Sequence, residues 1–573
     1  MLDQILPNTV LFSNIMSLEM FSVFLTDKVC GFHSDLVLKM PSNIPWGVLT
    51  LSWWLTVHSC FAWSCPVNCD CFRSVKVFCT SSAIKKVPSN ISVAVTELVF
   101  LETHIDVIDN TTFMGKDRLK KLVFISNKIK SVEVKALQWF PKLTDLEITA
   151  NPLSEIWPGT FDNLPELLKL TITFNDIKEF PCDLLQKTHN LQILTFQGNN
   201  ISTLCSGMFS STKNLVELSL DSNEIMQLPV DLLKPLRKLR VLKLSNNKLS
   251  KLPAGIFDCL KELSELYLNG NDLTTIPRHT FEELTSLKKL ILMTNSIKIL
   301  SDGIFSTLVN LTILRLDGNE LENLPVGIFN ETTSLHILSM TENRLQAIPE
   351  GIFSRLLHVK NLDLSSNLVE KLQNDVFDGL HSLTHLHLNN NNLMFIDNKV
   401  FKDLHNLKML TLYHNKLTTI MDGTLDPLFN LAFLVLHSNP WSCDCSFMYL
   451  LKWIKDNNDF TQVSEMQCAK PQHLQEKAMS LLRKQDLGCP TNIRINIPEI
   501  PSTNGQKDMK NSPLSPCYLT TDGDLHFTCM VIVCKSIKIH VSLQHESNIT
   551  TFTHDFSNVQ PHCTELNFNI TIS

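Results

Sequence analysis

One short segment of the sequence has the spacing of a zinc-binding motif. In His279-Thr280-Phe281-Glu282 a histidine and a glutamate are separated by two residues, the H-x-x-E spacing found among the ligands of some zinc enzymes. No further element of such a site accompanies this pair, and the sequence contains no H-E-x-x-H, no G-x-S-x-G and no glycine-rich phosphate loop. We therefore predict no catalytic residue, no cofactor and no metal ligand, and a protein that is not an enzyme.

Four histidines towards the end of the repetitive region are a second candidate group. His385 and His387 are two residues apart, so on one strand they face the same side. Further along the chain, His414 lies one residue before the repeated asparagine of its coil and His437 two residues before that of its own coil. These side chains form an ordinary solvated surface, a pH-sensitive contact with a partner, or an adventitious metal site.

A pattern that repeats every 24 residues determines where these side chains lie. Most copies are close to L-x-L-x-x-N-x-L, as in residues 242–249, and a phenylalanine or leucine follows ten residues after the asparagine. This period is typical of leucine-rich repeats. The asparagine ladder consists of Asn127, Asn151, Asn175, Asn199, Asn223, Asn247, Asn271, Asn295, Asn319, Asn343, Asn367, Asn391, Asn415 and Asn439.

The repeat frame predicts the fold directly. Each L-x-L segment is a short strand whose leucines point into the coil, and the buried asparagine must hydrogen-bond to backbone groups of its own and a neighbouring coil. A single coil cannot bury its apolar face alone, so stability comes from stacking. We predict an α/β-type leucine-rich-repeat solenoid with mostly short parallel strands, an irregular or helical convex side, disulfide caps and a small C-terminal β domain.

The residues between the leucines point to the concave surface, which is large enough for a protein ligand and too open for a metabolite. Tyrosine and arginine are frequent in the energetically important parts of protein interfaces. The alternative is that these side chains are ordinary surface. The candidate partner face consists of Tyr267, Arg315, Asp317, Asp363, His385, His387, Tyr413 and His437.

The chain has 17 cysteines, most of them in three groups, which favours disulfides and an oxidising compartment. Within a group of four, spacing alone leaves three pairings open, and zinc binding by the C-x-C pairs is an alternative. The groups are Cys65, Cys69, Cys71 and Cys79; Cys443, Cys445, Cys468 and Cys489; and Cys517, Cys529, Cys534 and Cys563.

Three further cysteines lie within the repeats. Cys182 and Cys205 occupy adjacent coils and can form a bridge if their side chains face each other. Cys259 then remains unpaired, as a buried thiol or as the site of an intermolecular disulfide.

Composition and the N-terminal segment indicate a secreted, folded protein. The 573 residues are 44% hydrophobic and 19% charged with a net charge of −7, and without a basic run such a chain is a poor nucleic-acid binder. The uncharged stretch 46–62 ends in small residues and reads as a signal peptide cleaved near Ser64, although a short signal anchor is the alternative. We expect Met40 to be the true start and no later membrane span.

The C-terminal tail and the glycosylation motifs complete the organisation. Residues 490–516 are rich in Pro, Asn and Ser and read as a linker, whereas the following β-branched segments predict a small β domain stapled by four cysteines. None of the N-glycosylation motifs falls on the outward strand positions. They are Asn90, Asn110, Asn200, Asn310, Asn330, Asn548 and Asn569.

Residues 65–573 resemble the family of large, non-catalytic carboxypeptidase N subunits. The resemblance rests on the opening CPVNCDC…VFC, on a first coil reading ELVFLETHIDVID and on the four-cysteine tail. Flanks and coils alone are shared with Toll-like receptors, platelet glycoproteins and matrix proteoglycans, so a cell-surface or matrix protein that binds another extracellular ligand is the alternative.

The resemblance implies a secreted plasma glycoprotein that binds a zinc carboxypeptidase specific for C-terminal Lys or Arg, stabilises it and keeps it in circulation. It also implies a hetero-tetramer of two large and two catalytic subunits, and the disulfides Cys65–Cys71, Cys69–Cys79, Cys443–Cys468 and Cys445–Cys489. The predicted order is a non-native extension (1–39), a signal peptide (40–64), an N-terminal cysteine-rich cap (65–95), about 15 repeats (96–438), a C-terminal cap (439–490), a linker (491–516) and the β domain (517–573).

Overall fold

The chain divides into two units, Met1–Ser64 and Cys65–Ser573. The computed structural model describes residues 65–457 except 74, residues 466–489 except 476, and the backbone of six strands between 493 and 572. The predicted extension 1–39 and signal peptide 40–64 lie outside the described residues. So does the predicted linker 491–516, apart from the short strand Ile493–Arg494.

A hairpin covers the start of the repeat array. Strands β1 (Cys69–Phe72) and β2 (Lys76–Cys79) pair antiparallel, and β2 then pairs parallel with the first repeat strand. Val77 and Cys79 are fully buried against the array. Disulfides Cys65–Cys71 and Cys69–Cys79 hold the hairpin, so the first coil does not expose its leucines to water.

The repeats form one sheet in which neighbouring strands are parallel and each residue pairs with the residue 24 positions later. This register follows from the sequence period, because an insertion of one residue would turn every leucine outward. The repeat strands are β3 (Glu97–Leu101), β5 (Lys121–Ile125), β7 (Asp145–Thr149), β8 (Lys169–Thr173), β9 (Ile193–Thr195), β10 (Glu217–Ser219), β11 (Val241–Lys243), β12 (Glu265–Tyr267), β13 (Lys289–Ile291), β14 (Ile313–Arg315), β15 (Ile337–Ser339), β16 (Asn361–Asp363), β18 (His385–His387), β20 (Met409–Thr411) and β21 (Phe433–Val435).

The opposite side of each coil runs through consecutive turns, so of the two predicted possibilities for this side the structure shows the irregular one. Phenylalanine rings fill the coil interior beneath the turns and stack from coil to coil, with Phe257, Phe281 and Phe305 at centroid distances of 6.4 and 6.3 Å. Two small parallel sheets lie along this side: β4 (Val107–Ile108) with β6 (Ser131–Val132), and β17 (Lys371–Leu372) with β19 (Phe395–Ile396).

The ladder asparagines tie adjacent coils together. In one rung, the Asn247 amide donates to the carbonyl of Leu220 in the preceding coil at 3.0 Å and to Leu244 in its own coil at 3.2 Å. Its side-chain oxygen accepts the backbone N–H of Ile225 at 3.0 Å. The side chain thus satisfies backbone groups that a strand only three residues long leaves unpaired at its end.

A second cap follows the last coil. The indole of Trp441 is fully buried and donates to the carbonyl of Leu436 at 3.1 Å. Helix α1 (Met448–Asp456) buries Leu450, Leu451 and Ile454. Disulfides Cys443–Cys468 and Cys445–Cys489 anchor this segment, which also holds strands β22 (Trp441–Ser442) and β23 (Cys468–Lys470) and single 3₁₀ turns at Cys445–Phe447, Gln472–Leu474, Met479–Leu481 and Lys484–Leu487.

Of the three cysteines within the repeats, two form a disulfide and one is a free thiol. Cys182 and Cys205 form a disulfide between adjacent coils. Cys259 is a free thiol and is only half-buried, so it is not the fully buried core group that one interpretation of the sequence expects.

The tail is made of antiparallel strands. They are β24 (Ile493–Arg494), β25 (Cys517–Thr521), β26 (Leu525–Val533), β27 (Ile537–His545), β28 (Asn548–Phe556) and β29 (Thr564–Ile572). The backbone register places Cys517 opposite Cys529, whereas Cys534 and Cys563 lie outside the described residues. The predicted fold class, a leucine-rich-repeat solenoid with capped ends, is confirmed.

Candidate functional site

The exposed face of the repeat sheet is a continuous surface that extends over all the repeat strands of the described coils. In each three-residue strand the central leucine points inward and the residues on either side of it point outward, as alternation along a strand requires. Because the strands are in register, outward residues of successive coils lie side by side and form rows that run across the sheet.

A depression of about 490 Å³ lies near the middle of this face. Its floor is aliphatic: Ile313 and Ile337 are half-buried neighbours on β14 and β15, and Ile291 is 6% exposed. Four of the eight residues in the candidate partner face, Tyr267, Arg315, Asp363 and His387, line its rim. We call these seven residues the central patch.

Tyr267 is held in place by two contacts at the rim of the central patch. Its hydroxyl donates to the Glu265 carboxylate at 2.5 Å, and the Lys289 ammonium lies 4.9 Å from its ring centroid. Burial, together with the hydrogen bond to Glu265, raises the pKa of the tyrosine hydroxyl. The phenol therefore stays neutral, and the two contacts fix the orientation of its ring.

Asp317 differs from its predicted role. The sequence places it on the partner face, but the residue is only 5% exposed. Its carboxylate accepts from the Arg315 guanidinium at 2.8 Å, from the backbone N–H of Thr341 at 3.1 Å and from the Ser339 hydroxyl. Asp317 therefore orients Arg315 and joins two coils, and a partner would contact the arginine, not the aspartate.

A second buried carboxylate lies earlier on the same face. Asp221 accepts from the backbone N–H of Ser245 at 2.8 Å and from the Ser219 hydroxyl at 3.0 Å. Burial raises its pKa, and those two hydrogen bonds and the charge of Lys243 oppose the rise. Lys243 is itself paired with Glu217 at 2.7 Å, so only part of its charge serves Asp221.

We expect Asp221→Asn to raise thermal stability at pH 7. Because the folded-state pKa of Asp221 lies above the unfolded one, its contribution to stability is complete below the unfolded pKa and is lost as the pH rises through the folded pKa. An asparagine removes the buried charge: its oxygen accepts the Ser245 N–H, and its NH2 donates to the Ser219 hydroxyl oxygen, which reverses the direction of that bond. Melting curves of both proteins from pH 4 to 8 test this.

The control for that measurement is Asp272→Asn, at an exposed position in the next but one coil. A gain for Asp221→Asn that grows with pH, with none for the control, is expected. A clear loss of stability at pH 7 in Asp221→Asn alone would show that its negative charge stabilises the fold.

The predicted histidine patch separates into two groups. His385 and His387 lie on β18, where burial lowers the pKa of His385 and electrostatic repulsion from His387 and Lys408 adds to the effect. The His437 ring stacks on the Tyr413 ring at a centroid distance of 4.8 Å. It is roughly perpendicular to the His414 ring, at a centroid distance of 5.8 Å. Strand β20 lies between β18 and the coil of His437, and His414 lies three residues beyond the position that pairs with His387, so the four histidines do not form one site.

In the H-x-x-E segment the histidine and the glutamate contact each other. His279 Nδ1 lies 3.0 Å from the Glu282 carboxylate, and both side chains are well exposed on the turn side of the solenoid. Across the residues that the structure describes, no cluster of three His, Cys, Asp or Glu side chains has the geometry to hold a metal ion.

Sequence reasoning missed three features of the surface. It overlooked the aliphatic floor of the central patch and the outward Phe433, which is 55% exposed. Apart from His385, it chose candidates only two or four residues before each asparagine, whereas Ile313, Ile337 and Phe433 lie six residues before theirs. It also expected no basic run, which is wrong: residues 234–240 read KPLRKLR. The outward register of Ile313 and Ile337 and the four basic residues in seven were the available signals.

The family comparison concerns the repeats. The family described as "Leucine rich repeat" matches residues 141–201, 165–225, 213–273, 262–321, 333–393 and 383–440. Together these segments cover just over half of the chain.

Two curated relatives carry the name carboxypeptidase N subunit 2. The human protein is 34% identical over 120 residues, which is 19% of this chain and 22% of the relative. The mouse protein is 38% identical over 54 residues, 9% of this chain and 10% of the relative. The aligned part of the chain thus spans about a fifth, or less, of the length of these relatives.

Solved structures share the fold. A leucine-rich repeat protein of Leptospira interrogans superposes with a TM-score of 0.57 at 27% identity, covering 65% of this chain and 91% of that one. The structure of the Drosophila Toll–Spatzle complex gives a TM-score of 0.61 at 22% identity, covering 72% and 60%. In the described part of this chain, no helix combines the length and apolar character needed to cross a bilayer.

Proposed function

This chain belongs to the leucine-rich repeat family, and from that premise we propose that it is a non-catalytic binding subunit whose exposed sheet face holds another protein. The central patch supports this proposal most directly. It combines an aliphatic floor with a tyrosine and an arginine on the rim, the composition that is enriched at the core of protein interfaces.

The fixed orientation of the rim residues adds to this support. Tyr267 is bonded to Glu265, and Arg315 is bonded to the buried Asp317, so neither side chain has to be immobilised entirely at the moment of binding. Ordering a flexible side chain at an interface typically costs about 0.5–1.5 kcal/mol. A preorganised rim lowers that cost and favours a stable complex.

The partner that we propose is a zinc carboxypeptidase that removes C-terminal Lys or Arg. This rests on the partial similarity to carboxypeptidase N subunit 2 and on the resemblance of the cysteine flanks and tail. In this proposal the chain stabilises the enzyme in blood plasma, in an assembly of two large and two catalytic subunits, and the catalytic metal belongs to the partner.

Secretion and glycosylation are part of the same proposal. Five disulfides among the described residues are typical of an oxidising, extracellular compartment. The five sequon asparagines within the solenoid are all exposed and therefore accessible to sugar: Asn90, Asn110, Asn200, Asn310 and Asn330. None of them lies in the central patch, so glycans would leave it open.

Affinity isolation of the tagged full chain from plasma tests the partnership. We expect the isolate to cleave peptides with C-terminal Lys or Arg, and the chain washed free of partners to have no such activity. Recovery of a different extracellular protein without carboxypeptidase activity would favour the cell-surface or matrix alternative and contradict this proposal.

A further inference from the structure

A row of basic side chains crosses four successive coils on the edge that precedes the sheet. His189, Lys213, Arg237 and Lys261 each lie four residues before the first residue of a repeat strand, and the strands pair with a constant offset of 24. All four side chains are exposed. Adjacent coils of such a sheet are about 4.8 Å apart, so the charges of Lys213 and Arg237 lie close together, whereas Lys261 at the end of the row is paired with Glu283 at 3.0 Å.

A depression of about 620 Å³ lies beside this row, between the coils that contain Lys213 and Arg237. Its lining includes Lys213, Lys234, Arg237 and Lys238 and one acid, Asp231. Leu236 and Leu239 are completely buried, so the basic residues that flank them in the KPLRKLR segment are turned outward. We call Lys213, Lys234, Arg237 and Lys238 the basic depression.

Neighbouring acids compensate only part of this charge. Lys234 lies 3.8 Å from Asp231. Lys238 donates to the neutral side chain of Asn214 at 2.8 Å. Within the described residues, Lys213, Arg237 and Lys238 form no ion pair with a carboxylate. A local excess of positive charge on a chain whose net charge is −7 indicates a site for an anionic ligand.

We propose that the basic depression binds a sulfated polysaccharide of the glycosaminoglycan type. A polymer with sulfate or carboxylate groups on successive sugars can engage several coils of the basic row at once, which one small anion cannot. The disulfides favour an extracellular ligand over nucleic acid, and no aromatic side chain lines the depression on which an unpaired base could stack. This proposal does not depend on the identity of the protein partner.

Binding of the full chain to immobilised heparin at 0.15 M NaCl tests the proposal. We expect the variant carrying Lys213→Gln, Arg237→Gln and Lys238→Gln to bind at least about tenfold more weakly and with a smaller dependence on salt, because three charge contacts are lost. The matched control removes the same number of charges from exposed lysines in other places, with Lys130→Gln, Lys178→Gln and Lys251→Gln.

The control is expected to bind heparin within about twofold of the wild-type chain, since none of its three lysines lines the depression. Circular dichroism establishes that both variants are folded. Equal weakening in the two triple variants, or no retention of the wild-type chain on heparin, would overturn the proposal. So would equally tight binding of non-sulfated heparosan or of duplex DNA, because either result would mean that sulfated sugar is not the preferred ligand.

Discussion

Replacement of Phe281 by alanine is expected to lower the free energy of unfolding by about 3–5 kcal/mol, the usual cost of removing a buried phenylalanine ring. The ring is fully buried and lies between the rings of Phe257 and Phe305. Because each coil is stabilised by its two neighbours, the cavity weakens contacts on both sides. Urea unfolding followed by circular dichroism measures the change.

The same substitution at an exposed ring is the control. Phe429 is 70% exposed and makes a stacking contact only with His405 among the aromatic rings of the described residues. We expect Phe429→Ala to cost less than about 1 kcal/mol, as surface substitutions usually do. If the two variants lost equal stability, the phenylalanine stack would not be the core of the solenoid.

Replacement of the ladder residue Asn367 by alanine is expected to cost about 2–4 kcal/mol, since several buried backbone groups lose their partner. Its amide donates to the carbonyls of Met340 at 2.9 Å and Leu364 at 3.1 Å, and its oxygen accepts the Leu345 N–H at 3.1 Å. Alanine leaves these two carbonyls and this N–H without their side-chain partner at a position that is 4% exposed. Thermal and urea unfolding report the loss.

Asn398 provides the matched control, because it is exposed and lies outside the ladder. Asn398→Ala is expected to change stability by less than about 0.5 kcal/mol. If Asn367→Ala were as mild, the inter-coil hydrogen bonds would contribute little, and leucine and phenylalanine burial alone would hold the coils together.

Much of the fold can be predicted from the sequence because one constraint recurs in every coil. The buried positions of Leu242, Leu244 and Asn247 recur with a period that matches the register of the sheet, so local pattern and long-range pairing agree. The turn-side phenylalanines follow from the same period. The position of each residue in its own coil follows from its distance along the chain to the equivalent residue of another coil.

The surface is harder to predict, because outward side chains are not constrained by packing. Asp317 occupies an outward position in the repeat frame and yet is buried by hydrogen bonds to the next coil. Its neighbours Ser339 and Thr341 lie 22 and 24 residues away, and no period specifies that their groups will point at one carboxylate. The structure of the central patch depends on several side-chain contacts of this kind.

The histidines illustrate the same limit. His385 and His437 share the outward face, but one strand and a different position in the coil separate them. Sequence spacing gives the strand and the side on which a residue lies, whereas contact requires neighbouring strands and equal height along them. His437 therefore meets Tyr413 instead of His387.

Direct binding of the carboxypeptidase to a variant in the central patch is the sharpest test of the proposed subunit function. Ile313→Glu puts a charge on the aliphatic floor, and Ile299→Glu, at a 73% exposed position on the turn side, makes the same change elsewhere. We expect Ile313→Glu to weaken enzyme binding by at least about tenfold, since a partner would bury the carboxylate, and Ile299→Glu to leave it unchanged. Equal binding by both variants would contradict a partner held on the sheet face.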